Sequence, residues 1–168
     1  MASAVSFTYL SKPDFPHIAR DIFDILENNM SRIAPTGLTA EENYRCWYSS
    51  VSEGLKKAPR QIVLIQDGGK LIGFFQYYTN SETFMMEEFQ LRPEYHGTGI
   101  FRALYAFVIP CIPEHPPCIE AYASIRNDRS IGILQKLGLK KQNLNKTGHS
   151  WHFKGDYADF LRWYQRQT

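Results

Sequence analysis

The chain has 168 residues, 43% hydrophobic and 21% charged, which suits one folded domain with a real core and excludes a disordered chain. Nineteen Lys and Arg against 17 Asp and Glu leave a formal net charge of +2, too little to argue for nucleic acid. No apolar run approaches the roughly 20 residues of a membrane span, and the start Met1-Ala-Ser-Ala-Val lacks a basic and then apolar secretory pattern, so a cytoplasmic protein is expected.

Alternation predicts a strand over 5–10, and Lys12-Pro13-Asp14 opens a helix with Ile18, Ile22, Ile25 and Leu26 at helical spacing. Thr39 followed by Glu42 is a capping box, and the helix after it carries Tyr44, Trp47, Tyr48 and Val51 on one side. Strands at 61–66, 71–78 and 83–91 form a meander, turned first by Asp67-Gly68-Gly69-Lys70 and then by Thr79-Asn80-Ser81-Glu82. Arg92-Pro93 stops the third. A helix over 100–109 ends at Pro110. A strand at 119–124, a helix opened by Asn127 and closed by Gly138, strands at 139–144 and 149–154, and a last helix capped by Asp156 complete the chain. That order implies an α/β fold: a mixed sheet of about seven strands with helices on both faces, spanning 1–168 as a single domain.

Three cysteines make no even disulfide framework, and reduced thiols suit a cytoplasm. Cys111, His115 and Cys118 are zinc-type ligands, but a structural site takes four and no fourth lies near. No metal is expected, and the stretch reads as a proline-rich connection flanked by two small buried thiols.

The chemistry concentrates where the third meander strand meets a helix through Tyr95-His96-Gly97-Thr98-Gly99-Ile100-Phe101. Successive N–H groups in such a turn converge on one point, and the helix start adds unpaired donors and partial positive charge. Glycines let a ligand reach the main chain. A pyrophosphate fits that description. A plain strand-to-helix turn is the competing reading. The dinucleotide fingerprint is excluded, because its third glycine and later acidic residue are absent.

Two blocks together resemble the GNAT N-acetyltransferase family. The first is Leu91-Arg-Pro93-Glu94-Tyr95-His96-Gly97-Thr98-Gly99-Ile100-Phe101, similar to the family's Gln/Arg-x-x-Gly-x-Gly/Ala signature. The second is Asn127-Asp-Arg-Ser130 with Leu134-Gln-Lys-Leu-Gly138-Leu139, similar to its Asn-x-x-Ala/Ser and Tyr-x-Lys-x-Gly-Phe runs. His96 and Phe101 depart from the pattern, and Phe101 has to turn away from the phosphates. Leu134 replaces the Tyr that protonates the leaving thiolate in many members.

The resemblance implies acetyl-CoA as co-substrate and direct attack of an amine on its thioester. It makes Phe89, Gln90 and Leu91 main-chain contacts of the pantetheine arm. His96, Gly97, Thr98, Gly99, Ile100, Phe101 and Arg102 belong to the phosphate loop and helix start, Asn127 bonds the pantetheine or lines the thiol end, and Ser130 is a further cofactor-binding residue. Arg129 and Lys136 are further basic residues within reach of phosphates. A general base is expected near the end of the third meander strand. Glu87 and Glu88 are the candidates, on opposite faces by alternation. Glu87 is the first choice, since its position matches polar catalytic sites of the family. Tyr122 or water is the acid, with Ser124 as a further donor and Tyr105 as helix packing.

The acceptor expected is a small-molecule or peptide amine, and a homodimer is the assembly to test. Tyr44, Trp47, Tyr48, Tyr77, Tyr78, Trp151 and His152 line a cleft or pack the core. Two other CoA-binding readings stand beside this one. One is a CoA-binding sensor without turnover. The other is an acyltransferase for a protein lysine, an N-terminus or a charged tRNA, for which Lys136, Lys140, Lys141, Lys146, Arg162 and Arg166 supply basic charge. A third, a generic α/β domain with a coincidental glycine turn, predicts no CoA binding.

Overall fold

A computed structural model describes residues 4–57 and 59–166; residues 1–3, part of the stretch read as lacking a secretory pattern, lie outside them. The elements run β1 (Val5–Tyr9), α1 (Phe15–Met30), α2 (Ala40–Leu55), β2 (Arg60–Asp67), β3 (Lys70–Thr79), β4 (Thr83–Leu91), α3 (Ile100–Val108), β5 (Cys118–Ser124), α4 (Asp128–Lys136), β6 (Lys140–Leu144), β7 (Ser150–Asp156) and α5 (Tyr157–Arg166). The strands form one seven-stranded sheet in the order β1-β2-β3-β4-β5-β7-β6. The sheet is mixed: β1 pairs antiparallel with β2, and β5 and β6 pair antiparallel with β7. Only a crossover can make neighbours parallel, and α3 lies between β4 and β5, which pair parallel over Thr83–Met86 and Cys118–Ala121. The expected α/β class and strand number hold.

Contacts divide the chain into two compact units, Met1–Gln76 with Glu88–Phe107, and Tyr77–Glu87 with Val108–Thr168. Strands β3 and β4 contribute residues to both.

In the first unit, alternation along β2 separates two layers. Ile62 and Leu64 pack with Phe15, Ala19 and Ile22 of α1 and with Val51 and Leu55 of α2. Val63 and Ile65 pair with Tyr9 and Phe7, whose rings meet Phe107 beyond α1 and α2, at 5.3 and 5.7 Å. Directly paired residues share a face, so α1 and α2 cover one face and the end of α3 the other. Each large side chain fully removed from water, such as Ile22 or Phe74, contributes about 1.5–3 kcal/mol.

The capping box forms as read. The Glu42 N–H donates to Thr39 Oγ1 (3.2 Å), and the Thr39 N–H donates to Glu42 Oε2 (2.8 Å). Those bonds hold the Glu42 carboxyl below its ordinary range. A depressed carboxylate stabilises the fold above its ordinary titration range, so this contribution is in place at neutral pH and disappears in acid.

Gly73 of β3 sits against the end of β4. A Cβ there would meet the Gln90 carbonyl oxygen at 2.4 Å and Leu91 Cδ2 at 2.6 Å. The obstacle is backbone, which cannot rotate aside. Gly73→Ala is expected to lower stability by about 1–3 kcal/mol, read as an earlier denaturant midpoint at unchanged slope. An unchanged midpoint would mean that β3 and β4 can part at this point.

In the second unit, Phe84 of β4 packs on Tyr157 and Phe160 of α5, at 6.0 and 6.4 Å between centroids. The two thiols expected to be buried are not: Cys111 is exposed and Cys118 half-buried. Cys111 closes a single helical turn, Ile109–Cys111, within the proline-rich connection.

Candidate active site

The glycine loop joins β4 to the start of α3 through two glycines in the left-handed region. Gly97 and Gly99 hold φ of 74° and 81°, in the left-handed region. A Cβ at either would meet nothing within 4 Å, so neither is glycine for packing. The first helical bond of α3 runs from the Ala103 N–H to the Gly99 carbonyl (3.3 Å), which leaves the N–H groups of residues 100–102 without intrahelical acceptors.

Side chains brace the loop from three sides. Tyr95 Oη donates to Asp67 Oδ2 at the end of β2 (2.7 Å), and this bond pushes the phenol above its ordinary titration range. Thr98 Oγ1 donates to the Tyr95 carbonyl (2.6 Å), and His96 Nε2 lies 3.1 Å from the Leu91 carbonyl. His96 thus ties the loop to β4. Phe101 lies edge-on to Phe89 (4.9 Å) and to Tyr105 (4.6 Å), which turns it onto β4 and its own helix. Tyr105 is fully buried, and burial raises its phenol well above the ordinary range. It packs, as read. Arg102 is exposed.

The end of β4 presents two edges and two faces. The Gln90 carbonyl crowds Gly73, and the Arg92 N–H donates to the Ile72 carbonyl (2.8 Å), so residues 90 and 92 turn their main chain to β3. Phe89 and Leu91 therefore turn theirs to the opposite edge. There the Leu91 carbonyl also accepts from Asn29 Nδ2 of α1 (2.8 Å).

Of the two faces, one carries Phe89, edge-on to Phe101 of α3. The other carries Glu88 and Gln90. Gln90 Nε2 donates to Glu88 Oε1 (2.7 Å), and Asn29 Nδ2 donates to Gln90 Oε1 (2.9 Å). A relay from α1 thereby orients the Glu88 carboxylate. By alternation Glu87 shares the face of Phe89, and it is Glu88 that lines a cavity of about 620 Å³ within the first unit. Phe23, Leu26 and Met30 of α1 and Trp47 of α2 supply its apolar wall, and Glu27 is its second carboxylate. Of the expected aromatic cleft residues, Trp47 lines this cavity. Tyr44 and Tyr48 instead pack on Phe23 and Phe15, at 5.3 and 5.4 Å.

In the second unit, Ile119, Ala121 and Ala123 are buried on one face of β5, while Glu120, Tyr122 and Ser124 occupy the other. Tyr122 is 49% exposed and stacks on His152 of β7, 4.9 Å between centroids. His152 Nε2 lies 2.8 Å from Glu120 Oε1. Asn127 caps α4, its Oδ1 accepting from the Ser130 N–H (3.1 Å). Leu134 is buried and has no proton to give. Arg129 and Lys136 are exposed. Among the described residues no group of three or more His, Cys, Asp or Glu is arranged to hold a metal. No helix of the described residues is long and apolar enough to cross a membrane.

Sequence reading missed Asn29, Asp67 and Glu27. Each sits in the right place only through contacts far along the chain, and no local pattern marks them.

The model of the family described as "Acetyltransferase (GNAT) family" matches residues 19–139. Among solved structures, the PaiA N-acetyltransferase of Thermoplasma acidophilum, crystallised with coenzyme A, superposes with a TM-score of 0.73 at 16% identity, covering 92% of this chain and 99% of that one. An Ard1 protein of Thermoplasma volcanium gives 0.63 at 13%, covering 91% and 97%. A variant of the SpeG spermidine N-acetyltransferase of Vibrio cholerae gives 0.61 at 14%, covering 94% and 96%. At such identities the likeness is one of fold. Comparison with curated proteins gives no match.

Proposed function

Since the chain belongs to the GNAT acetyltransferase family, we propose that it transfers an acetyl group from acetyl-CoA to a primary amine by direct attack, with residues 1–168 acting as one acyl-CoA-binding domain. The observation that carries this reading is the loop at Gly97 and Gly99: left-handed glycines over open space, leading straight into α3. A pyrophosphate suits converging N–H groups at a helix start. The coenzyme A bound to PaiA and the spermidine named for SpeG support the choice of donor and of an amine acceptor.

Acetyl-CoA supplies an activated acyl carbon. The main-chain groups of residues 97–102 would hold its phosphates, and the outward main chain of Phe89 would pair with the pantetheine arm. The Leu91 carbonyl is less available for that pairing, since Asn29 and His96 already reach it. The acceptor enters as an ammonium. Its first proton passes to the Glu88 carboxylate, the nitrogen lone pair forms the N–C bond, the C–S bond breaks, the nitrogen sheds its second proton to water, and the thiolate takes a proton from water. Glu88 replaces Glu87 as the preferred base because it lines the cavity and is held by the Asn29–Gln90 relay. Much of the rate would come from holding amine and thioester together. Three cysteines, which make no even disulfide framework, support a reducing, cytoplasmic setting.

Thermal-shift titration with CoA, acetyl-CoA and NADH tests the donor. A ligand at a hundred times its Kd stabilises the native state by about 2.7 kcal/mol, so CoA and acetyl-CoA should raise Tm by several degrees and NADH should not. No shift with either CoA species sinks the reading. A shift without turnover of any amine favours the sensor alternative.

A further inference from the structure

The cavity under α1 and α2 is more specific than an amine site in general. Its apolar wall is Phe23, Leu26, Met30 and Trp47, with Phe23 and Trp47 5.4 Å apart between centroids. Its charge is only negative: Glu27 and Glu88 line it, and no Lys, Arg or His does among the described residues. Its other polar residues, Ser31, Thr36 and Asn43, are uncharged, and Thr36 Oγ1 donates to Asn43 Oδ1 (2.7 Å).

A pocket of this size, largely apolar with a few charged groups, fits a small organic ligand. A free amino acid would bring a carboxylate with no cation to meet it. A polyamine would have to lay further ammonium groups along an apolar wall, where an uncompensated charge is costly. An ammonium on an apolar body meets neither obstacle.

We propose that the acceptor is a monocationic primary amine carried on an aromatic or aliphatic body, an arylalkylamine in type, with its body on Phe23, Leu26, Met30 and Trp47 and its ammonium on Glu27 and Glu88. This rests on the acetyltransferase reading and names its substrate class. Glu88 accepts the proton, and Glu27 binds and orients the cation.

Two readouts test it on the full chain with CoA present. The first is binding: 2-phenylethylamine should shift the Trp47 indole N–H resonance, assigned by its loss in Trp47→Phe. Glu27→Gln should weaken that titration about tenfold or more. The second is turnover with acetyl-CoA over 2-phenylethylamine, spermidine, free phenylalanine and an unblocked peptide. The arylalkylamine should have the highest kcat/KM, and Glu27→Gln should raise its KM much more than it lowers kcat. If spermidine or the peptide is preferred, and 2-phenylethylamine leaves Trp47 unmoved, the substrate class is wrong while the acetyltransferase reading stands. If CoA itself gives no thermal shift, the fault lies with that reading. The Trp47 titration decides the class even where no transfer is detected.

Discussion

Gly99→Asp is expected to abolish CoA binding while leaving the fold standing. The carboxylate would enter the loop proposed to hold a pyrophosphate. Two unit charges 4 Å apart repel by about 4 kcal/mol near a protein surface, so a loss of at least a hundredfold in affinity follows. The fold should tolerate the change, because no atom lies within 4 Å of the new Cβ and aspartate is among the residues that enter the left-handed region. Its φ of 81° costs about 1 kcal/mol. Calorimetric titration with CoA and a ligand-free melting curve measure the two effects separately. Normal CoA affinity in the variant would show that the phosphates bind elsewhere.

Glu88→Gln is expected to lower kcat about a hundredfold at neutral pH, within the usual contribution of a general base. Glutamine keeps an acceptor for Gln90 Nε2, so the local structure should survive. The deficit should narrow as pH rises toward the pKa of the amine, because more acceptor then arrives deprotonated. Glu87→Gln should change kcat little. A larger loss in the Glu87 variant would reverse the choice of face on β4.

These two variants also separate what local pattern reveals from what it does not. The hairpin at Gly68-Gly69, the box at Thr39 and Glu42, and the strand–glycine–helix run at 96–100 are set by neighbours in sequence, and each forms as read. Alternation places Glu87 and Glu88 on opposite faces, yet does not say which face meets the acceptor. That depends on α1, whose Asn29 reaches Gln90 across 61 positions of chain. Glu27 comes to line the cavity by the same long-range packing. Along its own helix it reads as an ordinary surface acid. The thiols of Cys111 and Cys118 failed as a burial prediction for a related reason: which small side chains reach the interior is set by packing from elsewhere in the chain.

One strand bears on how copies of the chain meet. β6 closes the sheet, pairing with β7 alone, and an open edge of this kind invites a strand from a second molecule. All five of its residues are exposed, it begins with Lys140 and Lys141, and its register shifts between Lys141 and Leu144. Charge and irregularity at an edge blunt templated β-aggregation. The rim therefore discourages both fibril growth and a continuous sheet across two copies, and a homodimer would have to form through another surface.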